Sequence, residues 1–320
     1  METNVAARYL GAHSKTIRTV QWSVDGSQIA SGGTDNKINI YEFVNNGQLR
    51  ISRNFKNFNK AIEQVQWYQN SPSTLLAAEY GNAIHILDTR SKNANSKITT
   101  PNTNLHCALK ADENYIAVSD TRDCVSIIDA RKLRVVNKNV FDFEINQIGW
   151  NKYNDSNNFY MTTYQGSTKG GGTVEIMDSN SSGKLKPIYS IKGHAGSCCC
   201  LDFAQNGRTM AVGSFDSIVS IWDLNELICT QSIMDFQNKI YSVSFSYDSK
   251  YITCGTAGKG PLPLFKVESG ECIGQFECPT SSRSVAFNPK QLMVAFGFDG
   301  KDNRGYQCAN LRVSTMLPQY

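Results

Sequence analysis

The stretch GHAGSCCCLDFAQNGRTMAVGSFDSIVSIWD, residues 193–223, decides the fold. Within it His194 stands 22 residues before Asp216, and Asp216 stands six before Trp222. Near the amino terminus AHSKTIRTVQWSVDGSQIASGGTDNKINIYE, residues 12–42, repeats both spacings with His13, Asp35 and Tyr41. Two separate spacings that recur together mark one structural unit used more than once, and the search for an internal period comes before any local reading.

Working outward, seven apolar–x–bulky steps are expected to open a strand: Val20 and Trp22, Val65 and Trp67, Cys107 and Leu109, Ile148 and Trp150, Leu201 and Phe203, Val243 and Phe245, Val285 and Phe287. Their second members recur at intervals of 45, 42, 41, 53, 42 and 42 residues. A polar turn such as Asp25-Gly26, Asn206-Gly207 or Asp248-Ser249 follows most steps, then a second apolar strand: QIASGG, TLLAAE, YIAVSD, FYMTT, TMAVGS, YITCGT and LMVAFG. Each pair reads as a hairpin. A third strand ends at Tyr41-Glu42, Leu87-Asp88, Ile128-Asp129, Met177-Asp178, Trp222-Asp223 and Phe265-Lys266, with a weak seventh near Val313-Ser314. Period-2 alternation leaves no room for helices of any length.

The composition agrees. Hydrophobic residues make up 40% of 320 residues and charged ones 19%, which suits a chain with ample core. The net charge of +4 is spread out, and no run of five or six Lys and Arg suggests a nucleic-acid tail. Ten cysteines at irregular intervals, none in Cys-x-x-Cys spacing, read as reduced thiols of a cytosolic or nuclear protein. The segment METNVAARYLGAHS has no apolar core of a secretory signal, and no 18-residue apolar run follows, so no membrane span is expected.

Several motifs tempt. Gly255–Gly260 looks like a phosphate loop, but no Ser or Thr follows Lys259, and Pro261 and Pro263 stand where a strand belongs. Lys169-Gly170-Gly171-Gly172 reads as a hairpin connection. His13, His85, His106 and His194 show no metal-ligand spacing, so no metal and no cofactor are expected. Cys198-Cys199-Cys200 lies beside acidic Asp202, which favours inert thiols. Arg53–Lys60 interleaves cations with aromatics, yet its place before the second repeat favours a solvated outer strand.

The paired signatures resemble the WD-repeat family, whose four-stranded blades surround a channel. The resemblance implies an all-β, seven-bladed propeller over residues 1–320 as one domain, with residues 5–10 supplying the outer strand of the last blade. It also implies a hydrogen-bonded chain inside a blade: His13, Ser31, Asp35 and Tyr41 in repeat one, and His194, Asp216 and Trp222 in repeat five. Val212 occupies the serine position of repeat five, so that chain is expected to be one link short.

FDFEINQIGWN (141–151), SIWDLNELICT (220–230) and the run CPTSSRSVAFNPKQLMVAFGFDGKD from Cys278 are similar to the propeller subfamily of the THO complex, and the similarity extends from Gly11 to Pro318. That complex couples transcription to messenger-RNA export. Three departures stand out: Ala12 in place of Gly, Gly258 in place of the turn aspartate of repeat six, and the prolines in its third strand. Blade six is therefore expected to be irregular.

The resemblance implies a nuclear, non-catalytic scaffold subunit. It would dock onto the large helical subunit and other subunits of the complex, with messenger ribonucleoprotein as indirect client and no small-molecule substrate. Residues two before each step are expected on the docking face, among them Arg18, Tyr241 and Arg283, with Phe215 beside Asp216. The competing reading is a generic adaptor, such as a ubiquitin-ligase substrate receptor or a chromatin-tail reader. A basic tail would want an acidic mouth, and Arg18 and Arg283 oppose that. No nucleophile, base and orienter fall at a spacing that suggests an enzyme.

Overall fold

Short apolar runs bounded by polar turns drive each repeat into strands, and the second strand of a blade is buried on both faces. The computed structural model describes residues 2–44, 47–91, 94–154, 156–165, 171–179, 183–301, 305 and 307–317. Among the described residues there is no helix, and 28 strands form seven four-stranded antiparallel sheets. The chain is a seven-bladed β-propeller.

The innermost strands are Ile17–Trp22, Ile62–Trp67, Asn104–Leu109, Glu144–Trp150, Cys198–Phe203, Ile240–Phe245 and Val285–Phe287. They line a central channel of about 440 Å³. The seven apolar–x–bulky steps finish these strands; they do not open them. Trp22 and its six counterparts are each the last residue, immediately before the polar turn. The turns are five-residue connections, and each carries one residue of positive φ: 74° at Gly26, 68° at Gly207 and 61° at Ser249.

The core is divided. Seven apolar clusters each lie in the seam between neighbouring blades, as where Trp22, Ile29 and Tyr41 of blade 1 meet Ala286, Ala295 and Val313 of blade 7. The next seam joins Ile38 and Ile40 to Val65, Trp67 and Leu75. Two of the three strand-final indoles also tie seams together: Trp22 Nε1 donates to Ala286 O at 3.0 Å and Trp67 Nε1 to Gln21 O at 3.2 Å, whereas Trp150 Nε1 donates to Ser179 Oγ of its own blade.

Each innermost strand has an edge facing the channel with no strand beside it, and backbone groups there need other partners. Side chains of the preceding blade supply them. Thr19 Oγ1 accepts from Val65 N, Gln64 and Gln66 accept from Cys107 N and Leu109 N, and Gln147 accepts from Leu201 N. Asp202 accepts from Phe245 N, Ser242 and Ser244 accept from Val285 N and Phe287 N, and Ser284 accepts from Val20 N. Six of the seven junctions are bridged in this way. At the junction of blades 3 and 4, His106 and Ala108 occupy the corresponding positions, and burial pushes the His106 pKa down to about 4.

The ring closes through the amino-terminal strand, as expected but with longer reach. Glu2–His13 pairs antiparallel with Gln307–Leu317, from Glu2 opposite Leu317 to His13 opposite Ala309, and completes blade 7. Blade six keeps four strands but is irregular. Its second and third strands share only three rungs, Tyr251–Thr253 against Leu264–Lys266, and Thr253 Oγ1 donates to Pro263 O at 2.8 Å. Gly255–Gly260 leads into a strand and not a helix, so it cannot cradle a phosphate in the manner of such loops. Of the glycine-rich connection before Gly171, Lys169 and Gly170 lie outside the described residues.

Arg53–Lys60 is a partial correction. The outer strand ends at Phe55, but Phe55 and Phe58 are buried in the seam of blades 1 and 2, so the aromatics are core. Deleting residues 1–10 is expected to lower the thermal midpoint by more than about 5 °C, since it exposes the edge of Gln307–Leu317. An unchanged midpoint in a melting experiment would show that closure does not depend on this strand.

Candidate partner-binding site

Two places gather the residues singled out by sequence. The first holds His13 and His194. His13 Nδ1 lies 2.8 Å from Asp35 Oδ1, and its Nε2 lies 2.7 Å from Ser31 Oγ, which is 3.4 Å from the Tyr41 hydroxyl. His194 Nδ1 lies 3.0 Å from Asp216 Oδ2. The histidines come from the outer strands of blades 7 and 4 and reach partners on blades 1 and 5. The chains therefore span seams; they are not contained within one blade.

Repeat five is not a link short. Ser220 supplies the missing hydroxyl: its Oγ lies 2.7 Å from His194 Nε2 and accepts from Trp222 Nε1 at 2.7 Å. Ser220 sits directly opposite Val212 in the ladder, as Asn39 sits opposite Ser31 in repeat one. The hydroxyl has moved across one rung while keeping its face. The spacing of SIWD, with serine two before tryptophan, was the available signal.

Glycine at 193 is required because a Cβ there would meet Trp222 Cζ2 at 2.7 Å. Ala12 is tolerated at the matching place, beside the smaller ring of Tyr41. A third buried acid–imidazole pair escaped sequence reading: Glu79 Oε2 lies 2.8 Å from His85 Nε2, covered by the Phe58 ring.

Serine, histidine and aspartate in this order have the geometry of a nucleophile triad. Here both hydroxyls and both imidazoles are buried, and the Ser220 oxygen already accepts the indole N–H. None of these four side chains lines the channel. Among the described residues no group of three His, Cys, Asp or Glu could hold a metal. The ten cysteines are free thiols, and burial raises the pKa of Cys107 to about 12 and also raises those of Cys198 and Cys254.

The second place is the channel mouth. Arg18, Glu63, Leu105, Asn146, Cys199 and Tyr241 all sit where the pairing of innermost and second strand slips by one residue. A β-bulge frees the extra residue from the ladder and re-aims its side chain. Arg283 precedes the short innermost strand of blade 7. Five of the seven residues line the channel, whereas Asn146 turns aside to Ser197 and Cys198.

On blades 5, 6 and 7 these residues stack. Lys239 Nζ lies 4.5 Å from the Phe215 ring centre, Phe215 meets Tyr241 edge-on at 5.9 Å, and the Arg283 guanidinium lies 4.7 Å over Tyr241. Arg18 Nε stands 3.8 Å from Glu63 Oε1. Burial raises the Glu63 pKa against the opposing pull of Arg18 and Arg283. The four residues expected at the docking face are thus brought to one arc, and Lys239 joins them. The arc offers rigid aromatic area between cations, the composition that dominates interface hot spots.

Residues 5–42 and 185–223 match the family model described as WD domain, G-beta repeat. The class is therefore a seven-bladed β-propeller, two stretches of which match the WD40 repeat. Among particular proteins, THO complex subunit 3 of Arabidopsis thaliana is similar, with 27% identity over 92% of this chain and 90% of that one. WD repeat-containing protein AAC3 of Dictyostelium discoideum is 25% identical over 74% of this chain, which spans 52% of its length. The β-propeller domain of Cps50 (Swd1) from Myceliophteria thermophila superposes with a TM-score of 0.76 over 97% of this chain and 99% of that one, at 17% identity, a likeness of fold.

Ser220→Ala is expected to cost about 1–3 kcal/mol in a denaturant titration, because it strands the Trp222 N–H and His194 Nε2 together. Asp216→Ala should cost a similar amount. A loss within error of zero for Ser220→Ala would remove that hydroxyl from the seam.

Burial opposes ionisation of Asp35 and Asp216, but the hydrogen bonds and charge of His13 and His194 outweigh it and hold both pKa values below the usual carboxylate range. Their contribution is full above the unfolded value of about 3.9 and is lost as pH falls through the lower folded values. Replacing both by Asn should flatten the acid limb of stability against pH while lowering stability at neutral pH; an unaltered acid limb would refute this.

Proposed function

We propose that this chain is a non-catalytic scaffold subunit of a THO-type complex, acting in the nucleus in messenger-RNA processing and export through protein–protein binding. The observation that carries the reading is the end-to-end similarity to THO complex subunit 3, which covers about nine-tenths of both chains. The site supports the scaffold part independently. The serine–histidine–aspartate chains are buried, and the arc where half-buried aromatic rings stand between cations suits a protein partner. The large helical subunit of the complex is the proposed occupant of that arc, through which messenger ribonucleoprotein is reached indirectly.

Affinity purification of the full chain from nuclear extract, read by mass spectrometry, should recover the other subunits of the complex. Recovery of ubiquitin-ligase subunits or histones instead would favour a different adaptor role. Tyr241→Ala with Arg283→Ala should weaken binding to the helical subunit by about 2–4 kcal/mol without lowering the melting temperature. Capture at native strength by the folded double variant would move the interface to the opposite face or to the blade rims.

A further inference from the structure

The outer strands carry an uneven charge that neither the mouth nor the seams use. On blades 1 to 4 they read LRISRNF (Leu49–Phe55), ANSKIT (Ala94–Thr99), RVVNKNV (Arg134–Val140) and LKPIYSIKGH (Leu185–His194), with seven cations and no acid. On blades 5 and 6 they read ICTQSI (Ile228–Ile233) and CIGQF (Cys272–Phe276), with no charge at all. The closing strand carries one acid, Glu2, and one cation, Arg8. The approaches sharpen the contrast: Arg131, Lys132 and Lys184 precede the strands of blades 3 and 4, whereas Glu226 and Glu271 precede those of blades 5 and 6.

Some of these cations are engaged. Arg50 pairs with Glu42, Arg53 donates to the Thr89 and Arg90 carbonyls, Lys132 lies 3.8 Å from Asp129, and Arg134 stands opposite Asp129 in the ladder. Lys97, Lys138, Lys186 and Lys192 are exposed, with Asp178 the ladder neighbour of Lys186. The rims of blades 3 and 4 are joined: Asn139 donates to Gly183 O at 3.1 Å and accepts from Leu185 N at 3.0 Å. Beside the lysines stand apolar side chains that soluble surfaces usually cover, with Val140 75% exposed, Ile188 54% and Tyr189 49%.

We propose that the rim of blades 2 to 4 is a sequence-indifferent track for single-stranded nucleic acid, with Lys97, Lys138, Lys186 and Lys192 against phosphates and a base stacked on Tyr189. The lysines sit on strands of three successive blades, so an occupant must carry negative charge all along a path longer than one blade. A phosphodiester does so by its own chemistry, and exposed flat side chains between cations provide stacking without base readout. An acidic polypeptide would meet the charge but would leave Tyr189, Ile188 and Val140 without a planar partner. Naming RNA as the strand rests on the export role proposed above; the binding itself does not.

The test uses the purified full chain and a labelled polyuridine oligonucleotide. Wild type should bind more weakly as salt rises, with a log–log slope of about −3 for four phosphate contacts. The quadruple variant Lys97→Glu, Lys138→Glu, Lys186→Glu, Lys192→Glu should lose at least about tenfold in affinity and flatten the slope by most of that amount. Lys239→Glu with Arg283→Glu, at the channel mouth, should leave RNA binding unchanged while impairing subunit capture. If charge reversal disturbs the melting temperature, the four Lys→Gln changes give the same comparison. A folded quadruple variant that binds polyuridine like wild type overturns the proposal, as does a wild type that binds polyglutamate but not polyuridine, or neither. Loss of subunit capture by the quadruple variant with RNA affinity intact also overturns it, by assigning the rim to a protein.

Discussion

Everything in this propeller depends on how its inner edges are satisfied. A four-stranded blade exposes the backbone of its innermost strand to the channel, and seven such edges facing one another would leave their amides with water alone. Thr, Gln, Asp and Ser side chains from the preceding blade take up those amides at six junctions. The polar lining therefore acts as inter-blade mortar. It also explains why the channel is polar: its glutamines and serines already hold protein backbone.

The seams add a second layer. Hydrophobic clusters fill the space between blades, and buried acid–imidazole pairs close the seams toward the mouth at blades 1 and 5. Such pairs are tolerable in a low-dielectric setting only when both members are hydrogen-bonded, and each is. The geometry that elsewhere prepares a serine for attack is here consumed by an indole donor on one side and a carboxylate on the other. Position in the fold, and not the triad itself, determines the chemistry.

The sequence made the fold legible because two constraints are local. A hairpin needs a turn residue at a fixed place, and a strand buried on both faces reads as a short apolar run between turns, so second strands such as Gln28–Gly33 and Thr209–Ser214 could be bounded to the residue. What it hid was relational. Ser220 substitutes for Val212 because the two face each other across a ladder, and Glu79 finds His85 because a hairpin folds back; neither is a neighbour along the chain. The bulges that aim Arg18 and Tyr241 at the mouth left only a shift of one residue in register, which no motif announces. The charge of the rim was hidden in the same way, because its lysines are spread over three repeats and gather only when the blades stand side by side.

Closure by the amino-terminal strand has a consequence for biosynthesis. Residues 2–13 are synthesised before the other strands of the ring but pair with residues 307–317, which are synthesised after them. During translation the first-made strand has no sheet to join, and six blades must form with an apolar seam still open at each end. Folding of this chain is thus vectorial up to its final step and then circular, with a contact spanning some three hundred residues that no local nucleus can supply. Until that contact forms, the outer edge of Gln307–Leu317 stays open to pairing with other strand edges.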